Sequence, residues 1–188
     1  MARLFLIKHA RPQIDPQVPS ERWSLGPEGR DAATRLADRL RGRGIGRLYT
    51  STEPKALETA QIVGQSLELS AVELPDLHEH DRSNVPHMDT REFISLMALF
   101  FKQPDRLVLG EETADEAYER FAAAIDGILE RESGDAPVAV VSHGTVIALL
   151  AQHRAKQDPF AVWRRMGLPS FMVLETRDGL LVESCDRL

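Results

Sequence analysis

The chain has one cysteine in 188 residues, Cys185, so no disulfide can form within it. That usage fits a reducing compartment and points to the cytoplasm. No apolar run approaches the roughly 20 residues that a membrane-spanning helix needs. The first one, Leu4-Phe5-Leu6-Ile7, ends in the charge of Lys8 and is too short for a signal peptide. An excess of positive charge is missing as well. The formal net charge is -6, so the surface as a whole repels nucleic acid and acidic membranes, and neither is expected as a partner. An anionic substrate must then be drawn in by a local cluster of cations. Internal repeats and low-complexity segments are absent. What is present is the balance of a soluble globular protein, with 43% hydrophobic and 28% charged residues. The length suits one domain spanning residues 1–188. No feature of the sequence sets an oligomeric state.

Leu4 to Ile7 is rich in strand formers and reads as a buried strand ending at Lys8-His9. Residues 10–25 are punctuated by prolines and form a loop. Pro27-Glu28-Gly29 opens a helix, with Ala32, Ala33, Leu36, Ala37 and Leu40 at helical spacing and Gly42 and Gly44 at its end. Gly46 to Thr50 is a second strand. Ser51 or Thr52 offers a cap to a helix over Pro54 to Leu67. Ala71 to Leu74 is a third strand, and His78 to Met88 is polar and irregular. Helices follow over Thr90 to Phe101 and from a Thr113 cap through Phe121, Ile125 and Leu129. Pro137 to Val141 is the strongest strand, bounded by Ser142-His143-Gly144, with a helix from Thr145 to about Gln152. Phe171 to Leu174 and Leu180 to Val182 flank Arg177-Asp178-Gly179 and suggest a closing hairpin. Strands alternate with helices, which predicts a three-layer α/β/α sandwich with a mostly parallel central sheet. Ligands bind such sheets beyond the carboxyl ends of the strands. His9, Ser51 and His143 each follow a strand end, and that groups them.

A neutral imidazole fixed by a hydrogen bond on one nitrogen can attack phosphorus with the other. Phosphoryl transfer also needs cations and N–H donors around the non-bridging oxygens. Lys8-His9-Ala10-Arg11 supplies a nucleophile among cations, although a lone histidine at a strand end is more often a cap on the sheet. Lys55 falls in the first turn of a helix, where the N-terminus favours an anion; as an isolated residue it would be an ordinary surface lysine. His143 ends the most buried strand, with Gly144 permitting a tight turn, and could equally be a satisfied structural histidine.

Together these elements resemble the histidine phosphatase superfamily, also called phosphoglycerate mutase-like. Lys8-His9-Ala10 stands where that family has Arg-His-Gly or Arg-His-Ala. Ser51 to Ala60 matches Ser-x-x-x-Arg-Ala-x-x-Thr-Ala, with Lys55 at the arginine. Leu77-His78-Glu79 matches Leu-x-Glu, Gly110-Glu111-Glu112-Thr113 matches Gly-Glu-Ser/Thr, and Val140 to Gly144 matches the closing Ser-His-Gly block. Leu25-Gly26-Pro27-Glu28-Gly29-Arg30 is similar to Leu-Thr-Pro-Glu-Gly-Arg. The matches keep family order across residues 3–185. The resemblance implies a phosphoglycerate mutase-like fold and a phosphohistidine on His9. It implies that His143, with Gly144, contacts the phosphoryl oxygens, and that Glu79 protonates the leaving oxygen and then activates water. Lys8 and Lys55 would clamp phosphate, and no metal or organic cofactor is implied. The expected substrate is a small phosphorylated molecule or a phosphoprotein.

The chain departs from the pattern at both clamp positions, which hold lysine. Asp15 stands where the family often places a phosphate-contacting Asn, and Gly26 replaces Thr. Arg11, Asp15, Arg22, Trp23 and Arg82 are candidates for the substrate pocket. Phosphoglycerate mutases of this type carry longer insertions that keep water out, whereas His80 to Gly110 has room for one short helix, which favours hydrolysis. A catalytically weak relative that binds phosphorylated ligands or a protein partner is the competing reading, since lysine does not reproduce a bidentate arginine. A third reading is a metal site, from the crowding of His78, Glu79, His80, Asp81 and His87.

Overall fold

Alternation along the strands decides the architecture. In β1 (Arg3–Lys8), Leu4 and Leu6 pack on one face of the sheet while Phe5 and Ile7 pack on the other, as a period of two requires. In β4 (Val138–Ser142), Val138 and Val140 join the first set, Ala139 and Val141 the second. Strands that are apolar on both faces need a helical layer on each side. One layer is α1 (Pro27–Leu40) and α2 (Pro54–Leu67), which bury Leu36, Leu40, Ala60 and Val63 against the Phe5 face. The other is α3 (Thr90–Lys102), α4 (Ala114–Arg131), α5 (Gly144–Ala155) and α6 (Pro159–Arg165), which bring Phe100, Phe121, Ile147 and Val162 to the Leu4 face. The result, in a computed structural model describing residues 3–132, 134–177 and 179–187, is the three-layer α/β/α sandwich.

The remaining strands are β2 (Arg47–Thr50), β3 (Ala71–Glu73), β5 (Ser170–Glu175) and β6 (Leu181–Cys185), and the sheet order is β3-β2-β4-β1-β5-β6. β1 to β4 are mutually parallel, while β5 runs antiparallel to both of its neighbours. The expected closing hairpin is β5 and β6. Asp178 of its turn lies outside the described residues, as do Met1 and Ala2 of the N-terminal segment.

Register places the functional candidates. Lys8 lies opposite Ser142, and Thr50 opposite Val141. The next residue on each strand is His9, Ser51 or His143, so all three emerge at one edge of the sheet. His9 N–H donates to Ser142 O at 3.0 Å and Ser51 N–H to Val141 O at 3.0 Å, which carries the ladder one step past the strands.

Some local expectations are corrected. The N-cap of α2 is Glu53, and neither Ser51 nor Thr52 caps it; the Ser51 hydroxyl is engaged by His143 instead. α5 starts at Gly144 and reaches Ala155, longer than the apolar pattern suggested. α6 has seven residues, too few to show a helical period in the sequence. Thr113 does cap α4, in a reciprocal box with Glu116. Among the described residues no helix is long and apolar enough to cross a membrane.

Candidate active site

His9 is 7% exposed and His143 is fully buried, with their ring centroids 5.1 Å apart. His9 Nδ1 lies 2.8 Å from Ala10 O. A carbonyl only accepts, so Nδ1 carries the proton and Nε2 carries the lone pair. Burial, with help from His143, Lys55 and Lys8, holds this imidazole well below its ordinary 6.5, so it is neutral at physiological pH. Ala10 is fixed in turn, since its N–H donates to Thr59 Oγ1 at 3.0 Å and that hydroxyl donates to Lys55 O on α2.

His143 Nε2 lies 2.9 Å from Ser51 Oγ and 3.3 Å from a Glu53 carboxylate oxygen. Ser51 Oγ accepts from Glu53 N–H, and a carboxylate only accepts, so a proton on Nε2 meets an acceptor in both oxygens. Nδ1 is buried without a hydrogen-bond partner among the described residues. Such an orphan nitrogen, beside a neutral histidine, is a polar position left for a bound group to fill. Burial and Lys55 push His143 well below 6.5, with Glu79 pulling the other way.

Glu79 is held from three directions. One oxygen accepts from His80 N–H at 2.9 Å, the other from Thr145 N–H at 3.2 Å in the first turn of α5. Arg82 stands 3.7 Å from the carboxylate. Burial pushes this carboxyl up, but Arg82, His143 and the His80 N–H together outweigh it and hold it at about 2. The segment carrying it is tied down by Ser142 Oγ, which donates to Leu77 O, and by Arg120 of α4. The Arg120 guanidinium donates to Asp76 O, His78 O and Glu79 O while pairing with Glu112. Gly110 permits that approach: its φ is 82°, and a Cβ there would fall 2.1 Å from Asp81 O.

The clamp lysines already have partners. Lys8 Nζ donates to Met166 O at 3.1 Å, just past α6. It also packs on Gly144, where a Cβ would lie 3.1 Å from Lys8 Cε. Lys55 Nζ donates to Ser20 O at 2.6 Å and forms a close ion pair with Glu53. Burial lowers Lys8 from 10.5 to about 8, with Glu79 opposing and Arg82 assisting. Keeping that charge desolvated costs about 3 kcal/mol at neutral pH. The unfolded chain binds the extra proton between about 8 and 10.5, so stability rises with pH through that window. Lys8→Met is therefore expected to stabilise the fold at pH 7 by on the order of 2 kcal/mol and to abolish the stability gain at alkaline pH. Chemical denaturation at pH 7 and pH 10 checks this; a loss of stability at pH 7 would show that the Met166 contact outweighs the buried charge.

Glu53 went unremarked in the sequence. It sits between Ser51 and Lys55 with no pattern of its own, yet its carboxylate touches His143 and Lys55 and accepts from Glu79 N–H at 2.8 Å. It places negative charge beside the would-be phosphate cations. Glu53→Gln keeps an oxygen for Glu79 N–H and removes the charge, so inorganic phosphate should bind roughly tenfold tighter. Calorimetric titration tests this, and weaker binding would mean that Glu53 serves chiefly to orient Lys55.

The site opens into a cleft of about 310 Å³ lined by Ser20, Glu53, His78, Glu79 and Arg82 among others. Of the pocket candidates, Arg82 borders this cleft and Trp23 borders a neighbouring one. Arg11, Asp15 and Arg22 are exposed and line neither. Asp15 turns its carboxylate to Gln17 N–H, and Arg22 lies 3.9 Å from Glu21. The crowded His78 to His87 segment is dispersed: His78 Nδ1 lies on Pro75 O, His80 Nε2 on Glu112 O, and Asp81 accepts from Ser83. Among the described residues, no three His, Cys, Asp or Glu side chains come together to hold a metal ion.

Comparison with known proteins gives the family. A probable phosphoglycerate mutase, GpmB, of Yersinia enterocolitica is 30% identical over 165 residues, covering 80% of this chain and 73% of the relative. A mycobacterial glucosyl-3-phosphoglycerate phosphatase in complex with VO3 superposes with a TM-score of 0.78 at 19% identity, over 100% of both chains. A phosphoserine phosphatase of Entamoeba histolytica in complex with 3-phosphoglyceric acid gives 0.75 at 18% identity, covering 98% of this chain and 96% of that one. These two structures share the fold. The family model of the histidine phosphatase superfamily (branch 1) matches residues 4–182, a span that takes in both histidine-bearing strand ends and the Glu79 segment between them. The chain belongs to the histidine phosphatase superfamily.

Proposed function

We propose that the protein is a phosphomonoester hydrolase that works through a phosphohistidine on His9. The observation that carries this reading is the neutral His9, its Nδ1 fixed by Ala10 O, beside a buried His143 whose Nδ1 has no partner among the described residues. His9 Nε2 attacks phosphorus as the ester oxygen leaves. His143, Lys8 and Lys55 hold the non-bridging oxygens, with Gly144 leaving Lys8 room to approach. Glu79 is ionised in the free site, so the proton for the leaving oxygen enters with the substrate. A phosphomonoester is a monoanion below about pH 6, and Glu79 takes its proton as the dianion settles among the cations. Glu79 gives that proton to the leaving oxygen and is again a carboxylate. It then takes a proton from the water that attacks the phosphohistidine; the P–N bond breaks to His9 Nε2, phosphate leaves, and Glu79 passes the proton to solvent and is again ionised. No metal or organic cofactor takes part, and the single cysteine suits work in the cytoplasm.

The relatives named phosphoglycerate mutase raise a second reading, transfer of the phosphoryl group back to an organic acceptor. The cleft beside Glu79 has room for water, and between His80 and Gly110 the chain builds only α3, which favours hydrolysis. Release of inorganic phosphate from a panel of phosphomonoesters, measured beside interconversion of 2- and 3-phosphoglycerate, separates the two. The reading requires phosphate release; interconversion without it would replace hydrolase by mutase, and neither activity would leave a phosphate-binding relative.

A further inference from the structure

A second cleft, of about 540 Å³, joins the first at Ser20 and Arg82. Its walls come from the loop after β1, with Val18 and Trp23, and from the segment leading into α3, with Val85, Met88 and Phe93; polar residues such as Gln17, His87 and Thr90 interrupt them, and Asn84 donates its amide to Gly110 O at 3.3 Å. The Trp23 N–H is already donated to Asp15 O at 3.0 Å and Val18 O at 2.9 Å, so the indole offers a ligand only its apolar ring. Among the described lining residues Arg82 alone carries a permanent charge, and that charge is committed. The guanidinium stands over the Phe93 ring at 5.2 Å and faces Glu79 at 3.7 Å. A leaving group bearing a carboxylate would find no free cation here. An apolar one would find walls beside Ser20, whose carbonyl holds Lys55, and Arg82, which faces Glu79, in a volume within the about 300–1,000 Å³ typical of sites for drug-sized molecules.

We infer that the substrate is a phosphomonoester of a large apolar alcohol, an alkyl chain or a ring, seated between Trp23 and Phe93 while its phosphate lies at His9. This rests on the hydrolase reading of the same site. Straight-chain alkyl phosphates test it, because their leaving-group basicity barely changes with length. Going from ethyl to hexyl phosphate, kcat/KM should rise about threefold per methylene, a little less than full burial of each would give. Hexyl phosphate should also exceed 3-phosphoglycerate. The double variant Val85→Ser with Met88→Ser should shrink the hexyl-to-ethyl ratio by on the order of tenfold. Alkylphosphonates, which cannot be hydrolysed, give the same comparison as binding affinity in the unmodified protein, independent of turnover and of whether the variant folds. Affinity rising with chain length supports the groove even if no ester is cleaved, in which case the hydrolase reading alone falls. Flat phosphonate affinity, or a preference for 3-phosphoglycerate over hexyl phosphate, overturns the inference while leaving hydrolysis intact.

Discussion

His9→Ala lowers kcat/KM for every phosphomonoester by on the order of ten-thousandfold or more, while inorganic phosphate still binds. The expectation follows from the division of labour in the site. In the proposed mechanism the anion is held by Lys8 at the end of β1, Lys55 on α2 and His143 between β4 and α5, whose hydrogen-bond partners among the described residues are all groups other than the His9 side chain. In the same mechanism the group that forms the bond to phosphorus is His9, so its removal takes away the nucleophile and leaves the anion-holding groups in place. Removing the ring also takes away a neutral neighbour rather than a charge, so the electrostatics of the clamp are preserved. Steady-state kinetics and phosphate titration on the variant measure the two halves separately. A variant with near-normal turnover would move the nucleophile elsewhere, and one that no longer binds phosphate would make His9 a structural residue.

Glu79→Gln slows alkyl phosphates by on the order of a thousandfold and p-nitrophenyl phosphate far less. A nitrophenolate leaves without help, whereas an alkoxide must be protonated as it goes. The same residue sets the pH dependence. Its carboxyl lies at about 2, so it stays ionised across the working range and the free enzyme holds no proton there to give. The proton comes from the substrate monoanion, so kcat/KM for alkyl phosphates should fall tenfold per pH unit above about 6. Above about 8 a further loss is expected as Lys8 gives up its charge. In Glu79→Gln the limb above pH 6 should flatten. Equal slowing of alkyl and aryl esters would shift the acid to another group, with Asp81 and Glu112 next in line.

The parts of this account that local pattern encodes were legible in the sequence. Leu4 to Ile7 and Val138 to Val141 announce strands covered on both faces, and strands alternating with helices lead to a parallel sheet whose carboxyl edge gathers His9, Ser51 and His143. Contacts that arise only from tertiary approach were not legible. Glu53 looks like any acidic residue at a helix start until His143, Lys55 and the Glu79 backbone close around it. Arg120 lies on α4, 41 residues beyond Glu79, and holds the Glu79 segment by its carbonyls. Lys8 finds Met166 through α6, a helix too short for periodicity to reveal. Of the pocket candidates on the loop after β1, Arg11, Asp15 and Arg22 are exposed to solvent while Trp23 lines the groove, a difference set by the course of the loop and not by residue type.

The proposed hydrolase stands or falls on a covalent bond between phosphorus and His9. A phosphorus-labelled substrate mixed with enzyme and quenched within milliseconds tests it directly. Protein-bound label is expected that is lost in acid, survives base, maps to His9 and is absent from His9→Ala. Hydrolysis that proceeds at full rate with no such adduct, or with label on a serine, would contradict it.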